Sequence, residues 1–191
     1  MSKSFRLLLA VSFILFSSQI IQAEDSSPNS QTKTKAPNFY LKDLQDNSHF
    51  LNDYCGEKIL AYQKNEKHVV LLSFFATWCV PCREEYLIFK QLSEKFADCR
   101  FKVILIDIEE KTGKVKKYVK EKNIQLPVLI DSYGVAKKKF GVSNIPYLFL
   151  IDPDQQIIYE RVGFDAEFPL FETLSTKIDS LLKLHFSGEN K

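Results

Sequence analysis

Residues 73–83 read SFFATWCVPCR, and they join an apolar run to a helical pattern. The run VVLLSFFA at 69–76 is continuous and β-favouring, which is typical of a strand covered on both faces. From Pro81 onward, apolar residues recur at helical spacing for about four turns, and a proline fits the first turn of a helix. Cys79 and Cys82 therefore stand where a central strand passes into a helix.

The two cysteines are predicted to form a redox pair. In open α/β sheets, chemistry collects at the carboxyl ends of strands, and a cysteine in the first helical turn experiences the positive field of exposed amide groups. That field favours the thiolate, the form that attacks disulfides. We predict Cys79 as the nucleophile and Cys82, one turn further along the same side, as the residue that resolves the mixed disulfide. Pro81 stiffens the link, and Trp78 offers an apolar surface beside the reactive sulfur.

Apolar patterns on both sides of this junction predict the rest of the fold. Strands first alternate with helices, and the chain then closes with a hairpin and a helix. This order predicts an α/β fold with a mixed central β-sheet and helices on both faces. The predicted elements are an N-terminal hairpin around 45–48, strands at 69–76, 101–108, 126–131, 145–152 and 156–163, and helices from Pro81, at 113–122, 133–140 and 167–185.

The N-terminal residues have the pattern of an export signal. Lys3 and Arg6 precede the apolar run at 7–16, and small residues follow up to Ala23. We predict a cleaved signal peptide at 1–23, with an uncleaved membrane anchor as the alternative. The apolar run is shorter than the roughly 20 residues that a spanning helix needs. Residues 24–36 are polar and lack an apolar period, which predicts a flexible linker before one domain at 37–191.

The charge balance gives no indication of a nucleic-acid partner. Removing residues 1–23 takes two positive charges from the 26 basic residues, and the remainder equals the 24 acidic residues. A basic footprint for nucleic acid is therefore absent from the composition. The local lysine runs at 114–120 and 137–139 are interleaved with apolar residues, which favours helices with one buried stripe and a solvated basic face.

A zinc site is the alternative use of the Cys79–Cys82 spacing, with Cys55 and Cys99 as further ligands. A second paired motif is missing, and the first pair stands at a strand-to-helix junction, so we expect no metal and no cofactor. The three histidines are distant in sequence from the pair. Neither a mixed Cys/His metal site nor a Cys–His hydrolytic nucleophile has local support.

The segment FFATWCVPCREE resembles the active-site signature of thioredoxin-like proteins, and more narrowly of the exported TlpA/ResA group of thiol-disulfide oxidoreductases. APNFYL is similar to the N-terminal β extension of that group, LPVLIDSYG to its inserted strand and helix segment, and SNIPYLFLIDPD to its strand that opens with a cis-proline. The resemblance spans nearly the whole predicted domain and implies a thioredoxin fold at 37–191.

The same resemblance implies two further site features. Ile145-Pro146 is expected to be a cis peptide opposite the cysteines, where the backbone of residue 145 pairs with an extended substrate segment. Glu85 matches a glutamate that assists proton transfer around the pair, although an ordinary solvated charge is the alternative. Ser73 departs from the family, which has a buried aspartate or asparagine at this position. Three further departures are Leu87 in place of a proline, and Gln155 and Gln156 in place of a hairpin glycine.

Two cysteines are extra to the motif. Cys99 is expected at the far end of the active-site helix, and Cys55 in the loop before the first central strand. In an exported protein, thiols pair readily, and we predict a structural disulfide between them. Two buried thiols are the alternative, and a catalytic shuttle through them is a further one.

The resemblance implies an exported thiol-disulfide oxidoreductase in the periplasm or cell envelope. A reductase of protein cysteines, for example those of apocytochrome c, with a membrane protein as electron donor, is the expected role. A monomer is the expected state. The alternatives are a disulfide oxidase or isomerase, a thiol peroxidase, and a binding module without turnover. A peroxidase requires an arginine near Cys79, and Arg83 is the nearby candidate.

Overall fold

The computed structural model describes residues 34–57 and 67–187. The predicted signal peptide and residues 24–33 of the predicted linker lie outside this part of the chain. Within the described residues, no helix combines the length and apolar character that crossing a membrane requires.

Eight strands and four α-helices make up the described chain. The elements are β1 (Thr34–Lys35), β2 (Tyr40–Asp43), β3 (Ser48–Phe50), β4 (Val69–Phe75), α1 (Val80–Lys95), β5 (Phe101–Ile108), α2 (Thr112–Glu121), β6 (Val128–Asp131), α3 (Val135–Lys139), β7 (Tyr147–Ile151), β8 (Gln156–Val162) and α4 (Leu170–Phe186). All the strands form one sheet in the order β1-β8-β7-β4-β5-β6-β2-β3.

The sheet is mixed, as predicted. Strand β4 is buried along its whole length, and it pairs parallel with β5 and antiparallel with β7. Strand β6 pairs parallel with β5. The carboxyl ends of β4, β5 and β6 therefore lie along one edge of the sheet, next to the start of β7.

Helices cover both faces, and three consecutive residues of β4 show this. Ser73 contacts Glu85 of α1, and the Phe75 ring lies 6.3 Å from that of Tyr118 in α2. The intervening Phe74 points the other way, and its ring is 5.5 Å from that of Phe140 at the end of α3. Since side chains alternate across a strand, α1 and α2 cover one face and α3 the other.

The sheet begins earlier than the sequence predicts. Strand β1 pairs antiparallel with β8, and Ala36 is buried, so residues 34–36 belong to the folded domain and not to a linker. Gln155 holds the N-terminal segment against the sheet. Its buried side chain donates through Nε2 to the Ala36 carbonyl at 2.6 Å, and the Ala36 amide donates to the Gln155 carbonyl at 2.8 Å. The hairpin residue that departs from the family thus fixes the N-terminal segment.

Candidate active site

Cys79 caps the N-terminus of α1, and Cys82 lies in its first turn. The Cys82 amide donates to Cys79 Sγ at 3.2 Å. The two sulfurs form a disulfide, with the Cα atoms 5.4 Å apart. Pro81, in the first turn, has no amide hydrogen that would need a partner there. The helix start therefore presents an amide donor to the sulfur of Cys79, which is the arrangement that stabilises a thiolate after reduction.

The disulfide lies beneath an apolar rim. Cys79 and Cys82 are only 3% and 8% exposed, whereas Trp78 is 63% and Val80 60% exposed. Pro81 is exposed as well. Adjacent exposed apolar side chains mark contact surfaces, whereas single ones are common. A partner that reaches the sulfurs must therefore pass over this apolar rim.

The Ile145-Pro146 peptide bond is cis and lies at the same edge of the sheet. Tyr147, the first residue of β7, pairs with Phe74 near the end of β4. Residues 145 and 146 therefore lie level with the segment that leads from β4 to Cys79. Pro146 is buried and Ile145 half-buried. Within the described residues, no backbone hydrogen bond engages residue 145.

Glu85 lies one turn after Cys82 on α1 and is 1% exposed. Burial raises the pKa of Glu85 to about 8, and the Ser73 hydroxyl and the charge of Arg161 only partly oppose that effect. Ser73 Oγ lies 3.4 Å from Glu85 Oε2. The sequence had shown that β4 lacks a carboxylate at position 73. The structure places a buried carboxyl group from α1 against that position instead.

Glu110 connects the active-site loop to the end of β5, and sequence analysis did not identify it. Its Oε2 accepts from the Thr77 amide at 2.6 Å, and its Oε1 accepts from the Thr77 hydroxyl at 2.8 Å. Lys114 Nζ lies 2.5 Å from Oε1. Burial opposes the charge on Glu110, but hydrogen bonds from Asp107, Lys114 and Thr77 outweigh it and lower the pKa. The sequence could have indicated this contact only by position, because Thr77 and Glu110 follow the ends of two adjacent parallel strands.

The predicted disulfide between Cys55 and Cys99 is not formed, and both residues are free thiols. A disulfide requires the two Cβ atoms to come within about 4.5 Å. Cys55 is completely buried, with Sγ directed at the Leu51 carbonyl at 3.8 Å, whereas Cys99 is exposed. One residue lies in the core and the other at the surface, and the structure holds them as two separate thiols.

Two other sequence hypotheses gain no geometric support. Arg83, the arginine that a peroxidase site would need, is exposed, and its guanidinium lies beside the Tyr118 hydroxyl. Across residues 34–57 and 67–187, no group of three or more His, Cys, Asp and Glu side chains is arranged to hold a metal ion.

Comparison with known proteins identifies relatives along most of the chain. The AhpC/TSA family model matches residues 32–160. Thiol-disulfide oxidoreductase ResA of Bacillus thuringiensis subsp. konkukian (strain 97-27) is 32% identical over 165 residues, which cover 86% of this chain and 87% of the relative.

Solved structures show the same similarity. A candidate thiol:disulfide interchange protein DsbE from Chlorobium tepidum matches with a TM-score of 0.67 and 29% identity, covering 78% of this chain and 96% of the other. A candidate protein disulfide isomerase from Bacteroides thetaiotaomicron matches with a TM-score of 0.66 and 26% identity, covering 79% of this chain and 89% of the other.

The sheet, the disulfide at the start of α1 and these similarities define a thiol-disulfide oxidoreductase with a thioredoxin fold. The chain belongs to the AhpC/TSA family. The fold and the enzyme class predicted from the sequence are thereby confirmed.

Proposed function

We propose that this oxidoreductase is a reductase of disulfides in exported proteins, with Cys79 and Cys82 as its catalytic residues. The observation that carries the proposal is the Cys79–Cys82 bond at the N-terminus of α1, under an exposed apolar rim. The N-terminal pattern of residues 1–23 supports export to the periplasm or cell envelope, with an N-terminal membrane anchor as the alternative. Compartments of this kind are oxidising, so a reductase there needs a supply of electrons.

The reaction proceeds by two exchanges. The Cys79 thiolate attacks one sulfur of the substrate disulfide, which forms a mixed disulfide and releases one substrate thiolate. The Cys82 thiolate then attacks the Cys79 sulfur, forms the Cys79–Cys82 bond and releases the second substrate thiolate. Two electrons pass from the enzyme to the substrate, and the two released thiolates take up two protons.

Glu85 assists the second exchange as a proton acceptor for Cys82. It lies one turn along α1 from that cysteine, and burial raises its pKa to about 8. A carboxyl group with a pKa near the working pH can both accept and return a proton. Because Ser73 offers no carboxylate on β4, Glu85 of α1 is the buried acid that faces this position.

The substrate binds along the apolar rim and the backbone of residue 145. Trp78, Val80 and Pro81 are exposed around the disulfide. Ile145 precedes the cis Pro146, and its backbone lies at the same edge of the sheet. An extended segment can hydrogen-bond to that backbone as an added strand does, while its side chains contact the rim. Segments with a cysteine pair, such as those of apocytochrome c, suit this surface.

The oxidised enzyme is returned to the dithiol by a membrane protein that donates electrons, and the enzyme acts as a monomer in both steps. A separate donor is required by the chemistry, because each turnover leaves the Cys79–Cys82 pair oxidised. The related ResA of Bacillus thuringiensis bears the name thiol-disulfide oxidoreductase, which fits exchange with protein partners.

The exchange is tested by trapping. The Cys82→Ala variant retains the attacking cysteine but cannot resolve the mixed disulfide, so it should accumulate covalent adducts with exported proteins. Adducts should appear on non-reducing gels and disappear after reduction. The Cys79→Ala/Cys82→Ala variant is the control, and adducts through Cys99 would persist in it. Equal adduct formation in both variants would contradict the proposal.

The reduction potential of the pair tests the direction of electron flow. A reductase should have a value near −270 mV or below, where thioredoxin lies, and an oxidant a value near −120 mV. A value close to −120 mV would overturn the reductase role and leave a disulfide oxidase or isomerase. Reaction of the reduced enzyme with hydrogen peroxide faster than with a protein disulfide would favour a thiol peroxidase instead.

A further inference from the structure

The loop before the reactive cysteine is held from the neighbouring strand. Thr77 stands two residues before Cys79, and both its amide and its hydroxyl donate to the carboxylate of Glu110. The exposed Trp78 is the only residue between this double contact and Cys79. Any displacement of Glu110 therefore moves the segment that presents the Cys79 sulfur at the start of α1.

Asp107 is a buried acid at the end of β5, three residues before Glu110. It is 0% exposed, and within the described residues neither of its carboxyl oxygens receives a hydrogen bond from a nitrogen or hydroxyl donor. The carboxylate of Glu110 lies within hydrogen-bonding reach. Two facing carboxyl groups satisfy each other only when one of them carries a proton, since both are otherwise acceptors.

The charges around the pair favour the proton on Asp107. The Thr77 donors and the Lys114 ammonium contact the Glu110 carboxylate, so they stabilise its negative charge. Asp107 faces Glu110, the more distant Asp131 of β6, and Lys114 of α2. Tyr118 of α2 is a further titratable group near Glu110, and Arg83 and Tyr86 of α1 lie near Tyr118 in turn. Burial, followed by the hydrogen bond and charge of Glu110, raises the pKa of Asp107.

We propose that protonated Asp107 is a positioning residue for the exchange reaction, which donates a hydrogen bond to Glu110 and thereby holds Thr77 and the Cys79 sulfur in place. The proposal rests on the oxidoreductase function of the Cys79–Cys82 pair. Ionisation of Asp107 would place two carboxylates against each other in a buried site, and Glu110 would give up its contact with Thr77. Asp107 acts on the reactive cysteine through Glu110 and Thr77.

Nuclear magnetic resonance of the oxidised protein tests the hydrogen-bond relay without any substrate. The Thr77 amide signal should shift between about pH 6 and about pH 11, with a midpoint far above the ordinary value for aspartate. In Asp107→Asn, an amide donor replaces the acid proton, so the part of this titration that lies below the ordinary lysine pKa of about 10.4 should vanish. Glu109→Gln is the matched control, because it removes a neighbouring exposed carboxylate, and it should keep the wild-type titration. A Thr77 signal that titrates equally in Asp107→Asn would overturn the proposal.

Alkylation of reduced Cys79, followed by mass spectrometry, tests the consequence for the reactive thiol. Asp107→Val removes the donor and should slow alkylation at neutral pH by about tenfold, the effect of losing a charge-assisted hydrogen bond. Asp107→Asn should restore most of the rate. Equal rates in the wild type and the folded valine variant would contradict the positioning role. Should the valine variant not fold, a slow asparagine variant would contradict it.

A failed trap with the Cys82→Ala variant, together with an intact Thr77 titration, would reject the reductase function. The hydrogen-bond relay from Asp107 to Thr77 would still stand in that case.

Discussion

Cys55 and Cys99 have opposite surroundings, so their reactivity should differ. Burial raises the pKa of the Cys55 thiol to about 12, whereas Cys99 is exposed. We expect iodoacetamide to label Cys99 in the oxidised native protein, and Cys55 at least about a hundredfold more slowly, because the thiolate is the reactive form. Mass spectrometry of the labelled peptides measures both rates.

Unfolding provides the control for this labelling experiment. In urea without a reductant, both thiols should react at similar rates, while the Cys79–Cys82 disulfide stays closed. Absence of label at both Cys55 and Cys99 in urea would show that they are bonded to each other and would contradict the structure.

The reactive pair could be predicted from the sequence because its parts are adjacent along the chain. Cys79, Pro81 and Cys82 lie in one helical turn, and the field of a helix start follows from local structure alone. The contact of Thr77 with Glu110 joins residues 33 positions apart, and only the pairing of β4 with β5 brings them together. The sequence could not predict that Cys55 is an unbonded thiol either, because that depends on which way its side chain points within the core.

Helix α4 should carry much of the stability of the face that holds the active-site helix. Leu174 of α4 is completely buried. Helix α4 also contacts α1, because the Lys95 ammonium of α1 donates a hydrogen bond to the Ser175 hydroxyl of α4. We expect Leu174→Ala to lower the free energy of unfolding by about 2–5 kcal/mol, through lost burial and a cavity. Urea unfolding measures this change.

The exposed leucine of the same helix is the matched control. Leu184→Ala makes the same substitution at a solvent-exposed position of α4 and should change stability by less than about 0.5 kcal/mol. Equal losses in the two variants would show that helix propensity, and not packing against the sheet, accounts for the effect.

Central and edge strands differed in how well the sequence predicted them. β4 and β5 are apolar runs buried on both faces, so composition alone indicates them. β1 consists of two exposed polar residues, Thr34 and Lys35, which no apolar pattern could reveal. The strand forms because β8 offers a free edge and the buried Gln155 side chain holds Ala36 beside it.

Two buried acids near the disulfide connect the chemistry of the site to the stability of the protein. Glu85 lies beside Ser73 of β4, and Asp107 lies at the end of β5. Burial is the main cause that raises the pKa of each group. The same desolvation that prepares an acid for proton transfer makes its charged form unfavourable in the folded state. The domain therefore loses stability as these groups ionise.

The stability of the domain should therefore fall as the pH rises. Between the ordinary value of 4.5 and about 8, folded Glu85 holds a proton that the unfolded chain has released. The unfolded state binds fewer protons in this window, so the free energy of unfolding should decrease by up to about 1.4 kcal/mol per pH unit for this group. Glu85→Gln mimics the neutral acid and should remove the contribution of Glu85 to the pH dependence of the free energy of unfolding, measured in urea between about pH 5 and about pH 8.

Glu84→Gln, at the exposed neighbouring position, is the control and should keep the wild-type slope. Parallel slopes in the wild type and Glu85→Gln would mean that Glu85 is already charged in the folded protein, and its proposed role as a proton acceptor and donor near neutral pH would fail with that result.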